Sequence, residues 1–264
     1  MNAADDRLRH LVGSPDGRSF PCKACNTTSP PFGVVSFHRG VGRPDPGPKE
    51  PLVQHQRCPN CGLLFTSAFD HWSPADFQAH IYNADYLEYD PDYVSKRALG
   101  YAAFFIERLE AARGEIRILD YGGGNGALAA ELRKSGFNCE TYDPFSEAFR
   151  ERPKGRFNLI SCIETLEHVP QPRQTLTDLI EFADDRALVI YTTVVQPPTI
   201  EAERLAWWYV GPRNGHITFY TPVALARLWT MSGFQTGSFN QVLHAAMRNP
   251  PPFASLLIGA PASA

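Results

Sequence analysis

The chain has 264 residues, a formal net charge of −3, 43% hydrophobic side chains and 20% charged ones. Those are globular proportions and exclude disordered or fibrous classes for most of the chain. The slightly acidic balance argues against a dedicated nucleic-acid or membrane-surface binder, and no apolar run reaches the ~18 residues of a membrane span.

The first ten residues carry Asp5, Asp6, Arg7 and Arg9 without an apolar stretch, so they do not read as a secretory signal. The expectation is a cytoplasmic protein with reduced thiols. Residues 1–18 are polar and read as a flexible start. Nine of the 23 prolines fall in the first 60 residues, which points to an irregular front segment. Four of the six cysteines lie there as two C-x-x-C pairs, Cys22/Cys25 and Cys58/Cys61, separated by a Gly/Pro-rich loop over 40–51. Two such pairs in a reducing compartment read as a tetrahedral zinc site. Four thiolates leave no open position, so the ion would be structural; the bland alternative is a set of unmetallated or redox-active thiols. This gives a zinc-binding module over 19–70.

Between 95 and 112, Ala98, Leu99, Ala102, Phe105, Ile106 and Leu109 recur at helical spacing, with Gly114 as the stop. Residues 71–114 therefore read as a helical linker, with Tyr82, Tyr86, Tyr89 and Tyr93 as a candidate lid. From 115 to 248 the pattern alternates. Strands are predicted at 116–121, 138–142, 157–163 and 187–195, and helices at 127–135 and 176–183. A helix from Thr221-Pro222 to Met231 follows, with Thr as N-cap, then short strands at 234–240 and 242–247. The fold class is α/β, a Rossmann-like doubly wound mixed sheet with a small N-terminal zinc module. The Pro/Ala-rich tail, 249–264, reads as loosely ordered. Cys139 and Cys162 fall on predicted strands and read as buried small hydrophobes.

The most informative segment is Asp120-Tyr121-Gly122-Gly123-Gly124-Asn125-Gly126. A buried strand ends in an acid and enters a loop of alternating glycines, where a ligand can approach the backbone without a Cβ in the way. The next strand ends at Asp143, a carboxylate suited to ribose hydroxyls. Gly122, Gly124 and Ala127 also satisfy the dinucleotide pattern G-x-G-x-x-G/A, which would make the chain an oxidoreductase, and a plain structural turn is the bland reading.

Taken with the segment from Phe157 to Val169, containing Glu164 and Leu166-Glu167-His168, and with Tyr220-Thr221-Pro222 through Gly233-Phe234, the loop resembles that of the class I S-adenosylmethionine-dependent methyltransferases over about residues 80–248. The resemblance implies that the last strands are antiparallel and that Asp120, Gly122, Gly124 and Gly126 hold the methionine part of the cofactor. It implies Asp143 and Pro144 at the ribose, and Ile163 and Glu164 near the reactive methyl. Only thirteen residues separate Asp143 from Phe157, too few for the family's usual helix and third strand. A short helix over 145–152 and a trimmed sheet edge are expected, with no identifiable adenine contact unless Phe145 packs there.

The front end, with Cys61-Gly62-Leu63-Leu64-Phe65 leading to Tyr82 and Tyr86, is similar to that of sugar and other small-molecule methyltransferases. The implied activity is methyl transfer to a small polar acceptor, a sugar or sugar nucleotide. His216, His168 and Glu164 are the candidate catalytic groups, His216 leading as general base, with Glu167 as a further option. Trp207, Trp208 and Tyr209 offer aromatic faces for a flat acceptor, unless they pack as a core face. Two rival readings are an RNA methyltransferase whose zinc module reads the nucleic acid, residues 1–62 carrying a net charge of +3, and a non-catalytic cofactor-binding module.

Overall fold

The computed structural model describes residues 3–92 and 96–259. They divide into two compact units, each assembled from separated stretches of chain. One comprises the chain as far as Asp90 together with Leu166–Thr175 and Thr193–Leu228. The other comprises Pro91–Thr165, Leu176–Thr192 and the chain from Trp229 onward. These units do not follow the linear boundaries expected at residues 18, 70, 114 and 248. Strand pairing and burial recruit late segments to the front of the chain.

The second unit is built on a six-stranded sheet. Its strands are β1 (Arg117–Tyr121), β2 (Asn138–Tyr142), β3 (Phe157–Cys162), β4 (Ala183–Thr192), β5 (Gln235–Ser238) and β6 (Leu243–Arg248). They lie in the order β5-β6-β4-β3-β1-β2. β1 pairs in parallel with β2 and β3, and β3 in parallel with β4. β6 runs antiparallel to both β4 and β5. This is the mixed, mostly parallel sheet expected from the alternating pattern, with the late hairpin as its antiparallel end.

β2 is the edge strand among the described residues, and 144–156 form turns without a strand. The short helix expected over 145–152 does not form. The Asp143 carboxylate takes the Phe145 N–H at 2.8 Å, and the Asp143 N–H donates to the Phe149 carbonyl at 2.9 Å. Such local bonds divert the backbone from a helical ladder, and Pro144 and Pro153 bound the segment.

Helices α1 (Lys96–Leu109) and α2 (Ala127–Lys134) contribute to the core of this unit. Ala102, Phe105 and Leu109 join Leu128, Ala129 and Leu132 of α2 and Ile118, Leu159, Leu188 and Ile190 of the sheet. Each large apolar side chain so buried stabilises by roughly 1.5–3 kcal/mol. Phe253 and Leu257 enter the same core beside the short helix Ser255–Ile258, so the tail is ordered there, contrary to expectation. The rest of the tail, 260–264, lies outside the described residues.

The first unit opens with helix Ala3–Val12, where a flexible start was expected. Leu8 and Val12, four residues apart, bury one face. The Trp72 indole N–H donates to the Leu11 carbonyl at 3.3 Å, and Arg7 pairs with Asp76 at 3.1 Å. A four-stranded antiparallel sheet follows from Pro31–Ser36, Leu52–Arg57, Leu64–Phe65 and, far along the chain, Thr218–Phe219. Helix Pro74–His80 is closed by a capping box between Ser73 and Asp76. Among the described residues no helix is long and apolar enough to cross a membrane.

Candidate active site

The candidate residues fall into three groups, each assembled within one unit. The first is the glycine loop of the second unit. β1 carries Asp120 to its carboxyl end, and the loop then turns at Gly122, Gly124 and Gly126, with φ of 72°, 55° and 74°. A Cβ at 122 would stand 2.5 Å from Thr165 Oγ1, and one at 126 would stand 2.7 Å from the Phe149 ring. Both positions therefore require glycine for conformation and for space. The Gly124 N–H donates to Asp143 Oδ2 at 2.9 Å, tying the loop to the acid at the tip of β2. Both Asp143 oxygens thus accept a backbone N–H, and each keeps a second lone pair. Pro144 beside it is exposed.

Asp120 is fully buried. Its Oδ1 accepts from Ser161 Oγ at 3.0 Å, whereas Oδ2 is buried without a hydrogen-bond partner. A Cβ on Gly123 would land on that oxygen. Burial pushes the Asp120 carboxyl up to about 7; Ser161 and Arg133 oppose the rise and Asp143 adds to it. A glycine cradle, an acid reserved beneath it and a second acid at the neighbouring strand tip fit a ligand with a cationic group and a ribose.

Glu164, just past β3, holds φ = 49°, a conformation uncommon for a side chain of its size. Thr192 of β4 fixes it in a closed ring. The Glu164 N–H donates to Thr192 Oγ1 at 2.7 Å, and Thr192 Oγ1 donates to Glu164 Oε1 at 2.8 Å. Arg97 lies 4.0 Å from Oε2. Ile163 packs against the apolar core. Phe145 sits in the turn after β2, held by its N–H on Asp143.

The second group, in the first unit, gathers Glu167, His168, Tyr209 and His216. Glu167 and His168 occupy a single helical turn, Leu166–His168. Ile217 N–H donates to the Glu167 carbonyl at 2.9 Å, which brings the His216 segment alongside. Glu167 Oε1 accepts from the Tyr209 hydroxyl at 2.6 Å. His216 Nδ1 lies 3.1 Å from the Tyr209 carbonyl oxygen. A carbonyl only accepts, so Nδ1 carries a proton, and in the neutral ring the lone pair is on Nε2. The two imidazole rings meet edge to face at 4.8 Å.

The aromatic triplet separates on folding. Trp207 is 2% exposed and packs on Phe219 at 5.7 Å, so it is a core residue. Trp208 is 52% exposed. Tyr209 is buried against His216 at 4.3 Å. Tyr86 and Tyr89 are pinned to the segment before His216. The Tyr86 hydroxyl donates to the Asn214 carbonyl at 3.4 Å, Asn214 Nδ2 donates to the Tyr89 carbonyl at 3.3 Å, and the Arg213 guanidinium stacks 4.4 Å from the Tyr89 ring. Tyr82 meets Tyr86 at 5.1 Å; Tyr93 lies outside the described residues. From the sequence pattern alone, Tyr209 reads as a stacking surface and Glu167 as a further candidate base. Their hydrogen bond joins positions 42 residues apart and has no local signature.

The third group is the four cysteines. Cys22 Sγ lies 3.5 Å from Cys61 Sγ, and Cys25 Sγ lies 3.5 Å from Cys58 Sγ and 3.6 Å from Cys61 Sγ. The four Sγ atoms lie within 4.8 Å of one another. The Ala24 N–H points at Cys22 Sγ and the Cys61 N–H at Cys58 Sγ, each at 3.4 Å. The hydrogen bond from Cys61 pulls the Cys22 thiol well below its ordinary pKa. Four convergent sulfurs with amide donors behind them suit a tetrahedral ion. Thr221 Oγ1 donates to the Cys61 carbonyl at 2.5 Å and caps the next helix by accepting the Ala224 N–H at 3.0 Å. Cys139 and Cys162 are buried in the sheet of the second unit, as expected.

A family model described as a methyltransferase domain matches residues 93–238. Among curated proteins, the ubiquinone biosynthesis O-methyltransferase of Aromatoleum aromaticum is 24% identical over 117 residues, covering 42% of this chain and 50% of that protein. Its counterpart from Pseudoalteromonas translucida is 29% identical over 98 residues, 35% of this chain and 42% of that protein. The chain thus spans half or less of the length of these relatives. Among solved structures, magnesium protoporphyrin IX methyltransferase from Synechocystis PCC 6803, with bound SAH, aligns at 15% identity over 58% of this chain and 82% of its own, with a TM-score of 0.43. Mitomycin 7-O-methyltransferase aligns at 15% identity over 69% of this chain and 62% of its own, with a TM-score of 0.47. With the family model matching more than half its length, the chain belongs to the methyltransferase domain family and is of the class I S-adenosylmethionine-dependent kind.

Proposed function

We propose that the chain binds S-adenosylmethionine at the glycine loop and transfers its methyl group to an oxygen of a small polar acceptor, a sugar or sugar nucleotide. The observation that carries the cofactor site is the loop itself: three left-handed glycines, tied through the Gly124 N–H to Asp143, above the reserved Oδ2 of Asp120. The family match supports the activity, and the curated relatives' names support oxygen as the atom methylated.

The bound cofactor supplies a methyl group already activated by its sulfonium. The protein's tasks are then to orient that donor and to remove a proton from the acceptor. Asp120 offers a negative charge to the methionyl amino group, and Asp143 offers lone pairs to the ribose. The Glu164–Thr192 ring fixes the carboxylate at the end of β3. Holding reactants in line contributes roughly 7–11 kcal/mol. A positioned base adds about 10²–10⁴-fold, and His216 fills that role through Nε2, its tautomer set by the Tyr209 carbonyl. His168 stands beside it as a partner ring. The exposed face of Trp208 suits stacking on a sugar ring or base. The four cysteines hold a structural zinc ion, for which the donor set and the amide donors behind it are the support.

The deciding experiment incubates the protein with methyl-labelled S-adenosylmethionine and a panel of sugar nucleotides, free sugars, phenols and RNA. Label on a sugar hydroxyl is expected. Label on RNA alone overturns the acceptor class. Cofactor binding with no transfer to any extract identifies a non-catalytic module, and preferential binding of a nicotinamide dinucleotide overturns the cofactor.

A further inference from the structure

Glu167, His168 and His216 together offer one carboxylate oxygen and two imidazole nitrogens, all within 4.8 Å of one another. Two imidazoles and a carboxylate are a donor set that suits divalent first-row transition ions and leaves coordination positions open.

Two features show that the set is built. Tyr209 orients two of the three ligands: its hydroxyl donates to Glu167 Oε1, and its carbonyl takes the Nδ1 proton of His216. A histidine whose second nitrogen is held by a carbonyl is the usual arrangement behind a metal-bound imidazole. His168 Nδ1 faces Gly215, where a Cβ would stand 3.0 Å away, so glycine at that position leaves the ring its room.

We propose that Glu167, His168 and His216 form a binding site for a divalent transition-metal ion, separate from the four-cysteine site. The Nε2 lone pair of His216 cannot serve an ion and a proton at once. Occupancy therefore stops the base assigned above; this consequence alone rests on that reading of His216, and the binding site does not.

The test titrates the zinc-loaded protein with Co²⁺, by equilibrium dialysis and visible absorption. One Co²⁺ per chain is expected to bind in addition to the tetrathiolate ion, with a spectrum lacking sulfur-to-cobalt charge transfer. His168→Ala and His216→Ala should each weaken it at least tenfold. Tyr209→Phe, which keeps all three ligands, should weaken it severalfold, and His71→Ala at the surface should leave it unchanged. Circular dichroism of each variant confirms folding. Absence of the additional Co²⁺, or its retention at full affinity in both folded histidine variants, overturns the proposal. Methyl transfer that continues undiminished with Co²⁺ bound upholds the metal site and instead removes His216 as the base.

Discussion

The carboxyl of Asp120 makes a sharp thermodynamic test. Burial raises it from 3.8 to about 7 in the folded protein. Its unfolded counterpart loses its proton near pH 4, so between those values the native state binds more protons than the unfolded one. Stability must then fall as pH rises from about 4 to about 7, and level off above. The rise of about three units corresponds to about 4 kcal/mol, of which roughly 3 kcal/mol falls between pH 5 and pH 8. Asp120→Asn keeps the shape and an acceptor for Ser161 but cannot ionise. Urea denaturation of both proteins at pH 5, 6, 7 and 8 should show the wild type losing about 3 kcal/mol more than the variant across that range, because the other titrating groups cancel in the difference. Parallel stability profiles would refute the reasoning. The same substitution should weaken S-adenosylmethionine binding by roughly 10–100-fold at pH 8, the ordinary worth of a charged hydrogen bond.

Gly126→Ala places a Cβ at φ = 74° and 2.7 Å from the Phe149 ring; it should cost more than about 1 kcal/mol by denaturant titration and weaken the cofactor dissociation constant measured by calorimetry. Thr192→Val removes both hydrogen bonds to Glu164; a loss of about 1–3 kcal/mol is expected from the thermal midpoint, together with a lower kcat. Phe105→Ala empties a fully buried site in the core of the second unit and should destabilise by about 3–5 kcal/mol. Strong chelation, or Cys58→Ser, should bring metal analysis below one zinc per chain and lower the thermal midpoint; full stability without metal would argue for free thiols.

The second unit was largely legible because its strands and helices are long enough to show a period. α1 displays Ala102, Phe105 and Leu109 on one face, Asp120 is the last residue but one of its strand, and Asp143 directly follows the next strand. The first unit was far less legible. Two of the four strands of its larger sheet are only two residues long, and the Thr218–Phe219 partner of Leu64–Phe65 lies more than 150 residues later, where no local pattern can announce it. Helix Ala3–Val12 escaped notice because only Leu8 and Val12 anchor it among polar neighbours, and the tail because its prolines mask Phe253 and Leu257. Candidate site residues were found by type, but not by role. Consecutive aromatics looked equivalent in the sequence, yet the backbone sends Trp207 inward and Trp208 outward. Tyr209 is distinguished only by its bond to Glu167.

That late strand has a consequence during synthesis. As the ribosome releases the cysteine-bearing segment, the edge formed by Leu64–Phe65 has no neighbour until Thr218 and Phe219 emerge, so the front of the protein must wait for its back to complete its sheet. A fragment cut between Phe65 and Thr218 would expose that edge to other chains, and would be expected to clump even with all four cysteines present.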